Sequence, residues 1–154
     1  MTPRLPNPHK FAPEGVKAMI ALETSIMNSG LEHPLIELVK LRASQINGCA
    51  FCLNMHATDA RKHGEKQVRL DLLAAWREAP VYTARERAAL AWTEALTLLP
   101  QNGASDADYA QVTAVFSEAE QVHLTLLIGA INTWNRLQVG FRVLPAVDPA
   151  DVAA

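Results

Sequence analysis

Two thiols three positions apart, Cys49 and Cys52, with an imidazole at His56 four positions beyond the second, are the chemically densest stretch of this 154-residue chain, which has no other cysteine. On a helix, positions i, i+3 and i+7 share one face, so this spacing stacks both sulfurs and the ring on one side. Such a set can run a dithiol/disulfide cycle: one sulfur is oxidised, the other closes a disulfide on it, and the histidine moves the proton. Gly48 marks a helix end, which puts Cys49 at the start of the next helix. The unpaired amides and positive dipole end of that first turn stabilise a thiolate and lower its pKa, which favours Cys49 as the nucleophile. Glu37 lies twelve residues upstream of Cys49, among Leu35, Ile36, Leu38 and Val39. A crossed helix pair brings it against the cysteine helix, and burial there is expected to raise its pKa towards neutrality.

Other chemistries fit these residues less well. Plain packing explains two buried cysteines but not their spacing to His56. A zinc site of Cys49, Cys52, His56 and His63 would draw four ligands from one helix, with His63 ~10 Å along the axis from His56. A thioredoxin-like site needs a strand before the cysteines, and none is expected. Of the remaining histidines, His33 beside Pro34 suits a turn or helix cap, His63 before Gly64 suits a helix C-terminus, and His123 on a late helix is not assigned a role. Trp134 reads as packing, Asn135 and Arg136 as contacts between helices or subunits, and Met19, Met27 and Met55 as core filler.

The elements that must position these groups read as helices. The N-terminal arm, with prolines at 3, 6, 8 and 13, is expected to be extended. Helices are expected over about 14–29, 34–47, 49–63, 65–76, 84–99, 106–116 and 118–140. Three of their starts carry a capping-box pattern, Thr83 with Glu86, Ser105 with Asp108, and Ser117 with Glu120. With almost no alternating pattern, the fold class is all-α, a bundle of six to seven helices in one domain, and the tail 145–154 is expected to fray. The last helix is apolar on most sides, at Leu124, Leu126, Leu127, Ile128, Ala130 and Ile131, which points to a central position or a subunit interface.

Composition narrows the function classes. Net charge is −2 and no basic run occurs, which argues against nucleic acid. The apolar runs are far shorter than the ~20 residues that span a bilayer, and the N-terminus lacks a signal-peptide core. A reducing cytoplasm is therefore expected, where a CxxC is catalytic, sensory or metal-binding rather than a structural staple.

The segment from Glu37 to His56, Glu-x11-Cys-x2-Cys-x3-His, resembles the AhpD-like alkylhydroperoxidase branch of the carboxymuconolactone decarboxylase family. Ile131-Asn132-Thr133-Trp134-Asn135-Arg136 is similar to that family's closing segment, and the likeness runs from about Pro34 to Arg142. The resemblance implies a thiol-dependent peroxidase in which Cys52 attacks the hydroperoxide, Cys49 resolves it as a disulfide, and Glu37 and His56 relay protons. It also implies an external dithiol or protein reductant, a trimer or hexamer, and no bound cofactor or metal. Some relatives carry a second histidine directly before the second cysteine; Phe51 stands there in this chain. The helix-dipole argument favours Cys49 as nucleophile and the resemblance favours Cys52. A lyase of the carboxymuconolactone decarboxylase type and a non-enzymatic redox-sensing oligomer are the alternatives.

Overall fold

The structure is a computed structural model that describes residues 1–148 and 150. Among the described residues it is all-helical. The eight α-helices are α1 (Pro13–Met27), α2 (His33–Asn47), α3 (Ala50–Lys62), α4 (Gln67–Asp71), α5 (Ala84–Thr97), α6 (Leu99–Asn102), α7 (Asp106–Thr113) and α8 (Glu118–Phe141). Short 3-10 turns cover Pro8–Phe11 and Leu73–Ala75.

All three expected capping boxes form. Thr83, Ser105 and Ser117 each accept the backbone N–H three residues on, and Glu86, Asp108 and Glu120 bond back to the cap amide. The elements differ from the expected ones in two places, and only the second raises the α-helix count above seven. The helix expected over 65–76 breaks after Asp71 and continues as the 3-10 turn. Pro100 does not merely follow a helix end: it sits in the first turn of the short α6, where its missing N–H costs nothing. The arm is not simply extended either. It turns at Pro8–Phe11, and Arg4 ties it to the end of α8 through its N–H to Phe141 O (2.9 Å) and its Nη1 to Gly140 O (3.0 Å). Residues 149 and 151–154 of the expected frayed tail lie outside the described residues.

α2 is central, packed against α3, α5 and α8. It feeds two apolar clusters. Ile36 and Val39 join Trp92, Leu124, Leu127 and Ile128, while Leu38 and Leu41 join Leu73, Trp76 and Leu90. Its third side is a buried polar stripe, Glu37, Lys40 and Ser44. That stripe has the same i, i+3, i+7 spacing as the two cysteines and His56, so one helical face meets another.

α8 buries Leu124, Leu127, Ile128 and Ile131 but leaves Val122, Leu126 and Val139 exposed. Met19 packs against the core, whereas Met27 and Met55, expected as filler, are exposed. Among the described residues, no helix is long and apolar enough to cross a membrane.

Candidate active site

The chain reverses between α2 and α3 at Gly48, whose φ of 65° lies in the left-handed region. The turn is closed by Gly48 N–H to Gln45 O (3.3 Å) and Cys49 N–H to Ser44 O (3.0 Å). Cys49 is then the N-cap of α3, with its Sγ accepting the Cys52 N–H at 3.3 Å, the place a serine or threonine oxygen often takes. Cys49 and Cys52 are joined as a disulfide with their Cα atoms 5.4 Å apart, within the ordinary range for such a bond. Both residues are buried.

One turn past Cys52, His56 Nδ1 lies 2.9 Å from Glu37 Oε2, and both side chains are buried. The carboxylate accepts from Nδ1–H, which leaves Nε2 free to serve a reacting atom. Glu37 corrects one expectation. Burial pushes its carboxyl upward, but the hydrogen bond from His56 and the charges of His56, Lys40 and His33 outweigh it, so the pKa falls below the usual 4.5. Glu37 is therefore an ionised anchor for His56 rather than a group poised to exchange protons near neutrality.

A cavity of about 330 Å³ opens on Cys52 and His56, lined also by Phe51, Ile131, Trp134 and Gln138 among others. Its wall contains a second, partly buried charge pair that sequence reasoning missed. Lys40 Nζ lies 2.7 Å from Glu23 Oε2, and Trp134 Nε1 donates to Glu23 Oε1 at 3.2 Å. The only sequence signal was Glu23 interrupting the apolar periodicity of α1. Trp134, expected as packing, is thus a wall of the cavity. His9 from the arm also reaches it, edge-on to Trp134 with ring centroids 5.7 Å apart.

Asn135 is fully buried at the hub that fixes the α2–α3 turn. It accepts from Asn47 Nδ2 at 2.8 Å and donates through Nδ2 to Ser44 Oγ at 3.0 Å. Asn132 accepts from the same Asn47 amide at 3.0 Å, and Arg136 donates to Asn132 Oδ1 at 3.1 Å. The segment 131–136 thereby holds α8 against the residues that present Cys49.

A larger cavity, about 620 Å³, lies elsewhere: Glu37 lines it together with His33, His63 and Arg69, and neither sulfur does. His33 opens α2, and His63 caps α3 with its Nδ1 donating to Asp59 O at 2.8 Å. Their rings lie 4.3 Å apart, so His63 is grouped with His33 and not with the cysteines. His123, on the first turns of α8, lines none of the cavities described. Among the described residues no group of three or more His, Cys, Asp or Glu could hold a metal ion.

An all-helical bundle with a vicinal dithiol at a helix start, its histidine bonded to a glutamate on the preceding helix, defines an AhpD-like protein. The chain belongs to the carboxymuconolactone decarboxylase family, whose model matches residues 13–95. Among particular relatives, a structure from Agrobacterium tumefaciens superposes with a TM-score of 0.91 at 48% identity, covering 96% of this chain and 100% of that one. That protein is described as of unknown function, with a suggested antioxidant-defence role of the AhpD type. YdfG of Bacillus subtilis, itself uncharacterised, is 42% identical over 131 residues, which is 85% of this chain and 89% of that protein. The alkyl hydroperoxide reductase AhpD of Hyphomonas neptunium is 49% identical over 39 residues, a local match to 25% of this chain and 22% of that protein.

Proposed function

We propose that the protein is a thiol-dependent peroxidase that reduces hydroperoxides through the Cys49–Cys52 pair, working in the cytoplasm as a single-domain subunit of a homo-oligomer. The observation that carries this reading is that Cys52 shares a cavity with His56, whose Nδ1 is held by the Glu37 carboxylate. His56 Nε2 takes the Cys52 thiol proton, and the resulting imidazolium is balanced by Glu37. The Cys52 thiolate attacks the outer oxygen of the hydroperoxide, the O–O bond breaks, and the departing alkoxide takes the proton from His56 and leaves as an alcohol. Cys52 is now a sulfenic acid. Cys49 condenses with it, the new S–S bond replaces S–O, and hydroxide leaves with the Cys49 proton as water. An external dithiol or protein reductant supplies two electrons and returns both thiols. The N-cap position of Cys49 supports its thiolate in this second step; the first attack is assigned to Cys52 on the family resemblance and the cavity it shares with His56, against the helix-dipole argument, which favours Cys49.

The exposed Val122, Leu126 and Val139 on α8 offer apolar surface for self-association, and the family resemblance implies a trimer or hexamer. The family description supports a second reading, a decarboxylating lyase on the same fold, which has no need of a thiol pair. Alkylating the reduced protein with iodoacetamide separates the two. Dithiol-dependent hydroperoxide consumption is expected to fall to background, at least ~100-fold. Decarboxylation of a muconolactone that survives alkylation, with no peroxide consumption before it, would establish the lyase instead.

A further inference from the structure

The two sulfurs open onto different cavities. Cys52 lines the cavity with His56 and Trp134, while Cys49 lines a second one, also about 330 Å³, beneath Arg4 and Arg142. Phe51 and Gln138 line both and form the partition between them. The two sides differ in charge. The Cys52 side contains the partly buried Lys40–Glu23 pair. The Cys49 side has no Asp or Glu in its lining, and two arginines there, Arg4 and Arg142, are exposed. Among the described residues neither arginine has a carboxylate within ion-pair distance, and Arg4 spends only Nη1 on Gly140 O. Gly48 and Ala50, on either side of Cys49, are exposed, so the chain around this sulfur is reachable from outside.

We propose that the two half-reactions use opposite faces of the disulfide: hydroperoxide meets Cys52 in one cavity, and a slender thiol carrying a carboxylate enters the other, under Arg4 and Arg142, and attacks Cys49. The proposal rests on the reading that this pair cycles. Attack at Cys49 makes Cys52 the leaving group. The incoming thiol gives its proton to solvent and, as a thiolate, forms a new S–S bond to Cys49; the Cys49–Cys52 bond breaks, and Cys52 departs as a thiolate that regains a proton from solvent by way of His56 Nε2. A second thiol, the same molecule's own where the reductant is a dithiol, then attacks the reductant sulfur of the mixed disulfide, releases the oxidised reductant as a disulfide, and leaves Cys49 reduced. Reductant and peroxide therefore do not compete for one opening, and the arginine rim selects anionic thiols by raising their local concentration.

The test uses full-length protein in the disulfide form and two matched thiols, 3-mercaptopropionate and 3-mercaptopropanol. Acid quenching, alkylation and peptide mapping after a short exposure are expected to find the mixed disulfide on Cys49 and the alkyl group on Cys52. Arg142→Asn should slow reduction by the carboxylate thiol about fivefold, the order for one unit charge a few ångström from an anion in near-aqueous surroundings. Asn tolerates the left-handed backbone at this position, where φ is 52°. Reduction by the alcohol should change by less than about twofold, oxidation of the reduced variant by cumene hydroperoxide should be unchanged, and Arg142→Lys should restore the preference. A mixed disulfide on Cys52, or equal slowing of both thiols, would overturn the proposal. If peroxide fails to oxidise the dithiol while the charge preference and the Cys49 adduct persist, the peroxidase reading fails and the assignment of this face stands.

Discussion

Replacing Cys52 with serine will abolish hydroperoxide turnover, by ~10³-fold or more, while Cys49→Ser will leave one rapid oxidation and then stop. The asymmetry follows from position. Cys52 lies in the cavity with His56, and a serine hydroxyl there is far less acidic and less nucleophilic than a thiol. Cys49 is the N-cap, outside that cavity. Its loss spares the first chemical step and removes the resolving one, so Cys52 sulfenic acid should accumulate and be trapped by dimedone. Steady-state consumption with excess dithiol, one-turnover oxidation and mass spectrometry of the dimedone adduct distinguish the variants. If Cys49→Ser instead blocks the first oxidation and Cys52→Ser allows it, the roles of the two sulfurs are reversed.

The second large effect is expected at Glu37. Glu37→Gln keeps an acceptor for His56 Nδ1–H and nearly the same volume, so the helices stay packed. It removes the charge that stabilises the imidazolium formed as Cys52 is deprotonated. A loss of about 100-fold in kcat/KM is expected, within the range for general acid–base partners and the groups that orient them. The same substitution has a stability signature whose sign is set by the lowered Glu37 pKa. A carboxyl held below its ordinary 4.5 in the folded state stabilises the fold above that value and loses the contribution as pH falls through the folded pKa. Wild type should therefore exceed Glu37→Gln by about 1.5–3 kcal/mol at neutral pH, the net worth of a hydrogen bond to a charged group. The gap should close between about pH 4.5 and more acidic values in urea titrations. A gap that widens on acidification would mean that burial, not His56 and Lys40, dominates at Glu37.

Much of the frame was legible because its signals are local. Each capping box needs only residues three apart, and the Gly48 turn needs one left-handed residue, so helix starts and the placement of Cys49 could be read directly. Gln67–Ala75 and Pro100 were misjudged because the periodicity does not say where a short apolar helix breaks, and because a proline suits the first turn of one helix as well as the end of another. The Glu37–His56 contact was inferable from spacing. The pKa direction was not, since it depends on which cations the fold brings beside the carboxylate. The rest of the cavity was hidden by sequence distance. Trp134 meets Glu23 across 111 positions, and Gln138 approaches His9 across 129. Arg142 attracted no notice in the chain, and only the return of the arm along α8 places it near Arg4 and Cys49.

The most direct test of the central claim is a thiol count on the reduced protein before and after one equivalent of an alkyl hydroperoxide, with peptide mapping of the product. The account predicts the loss of two thiols per chain, one equivalent of alcohol formed, and an intramolecular Cys49–Cys52 disulfide that a dithiol reverses. Two thiols still titratable after the peroxide has been added, or oxidation that yields only chains cross-linked to one another, would contradict it.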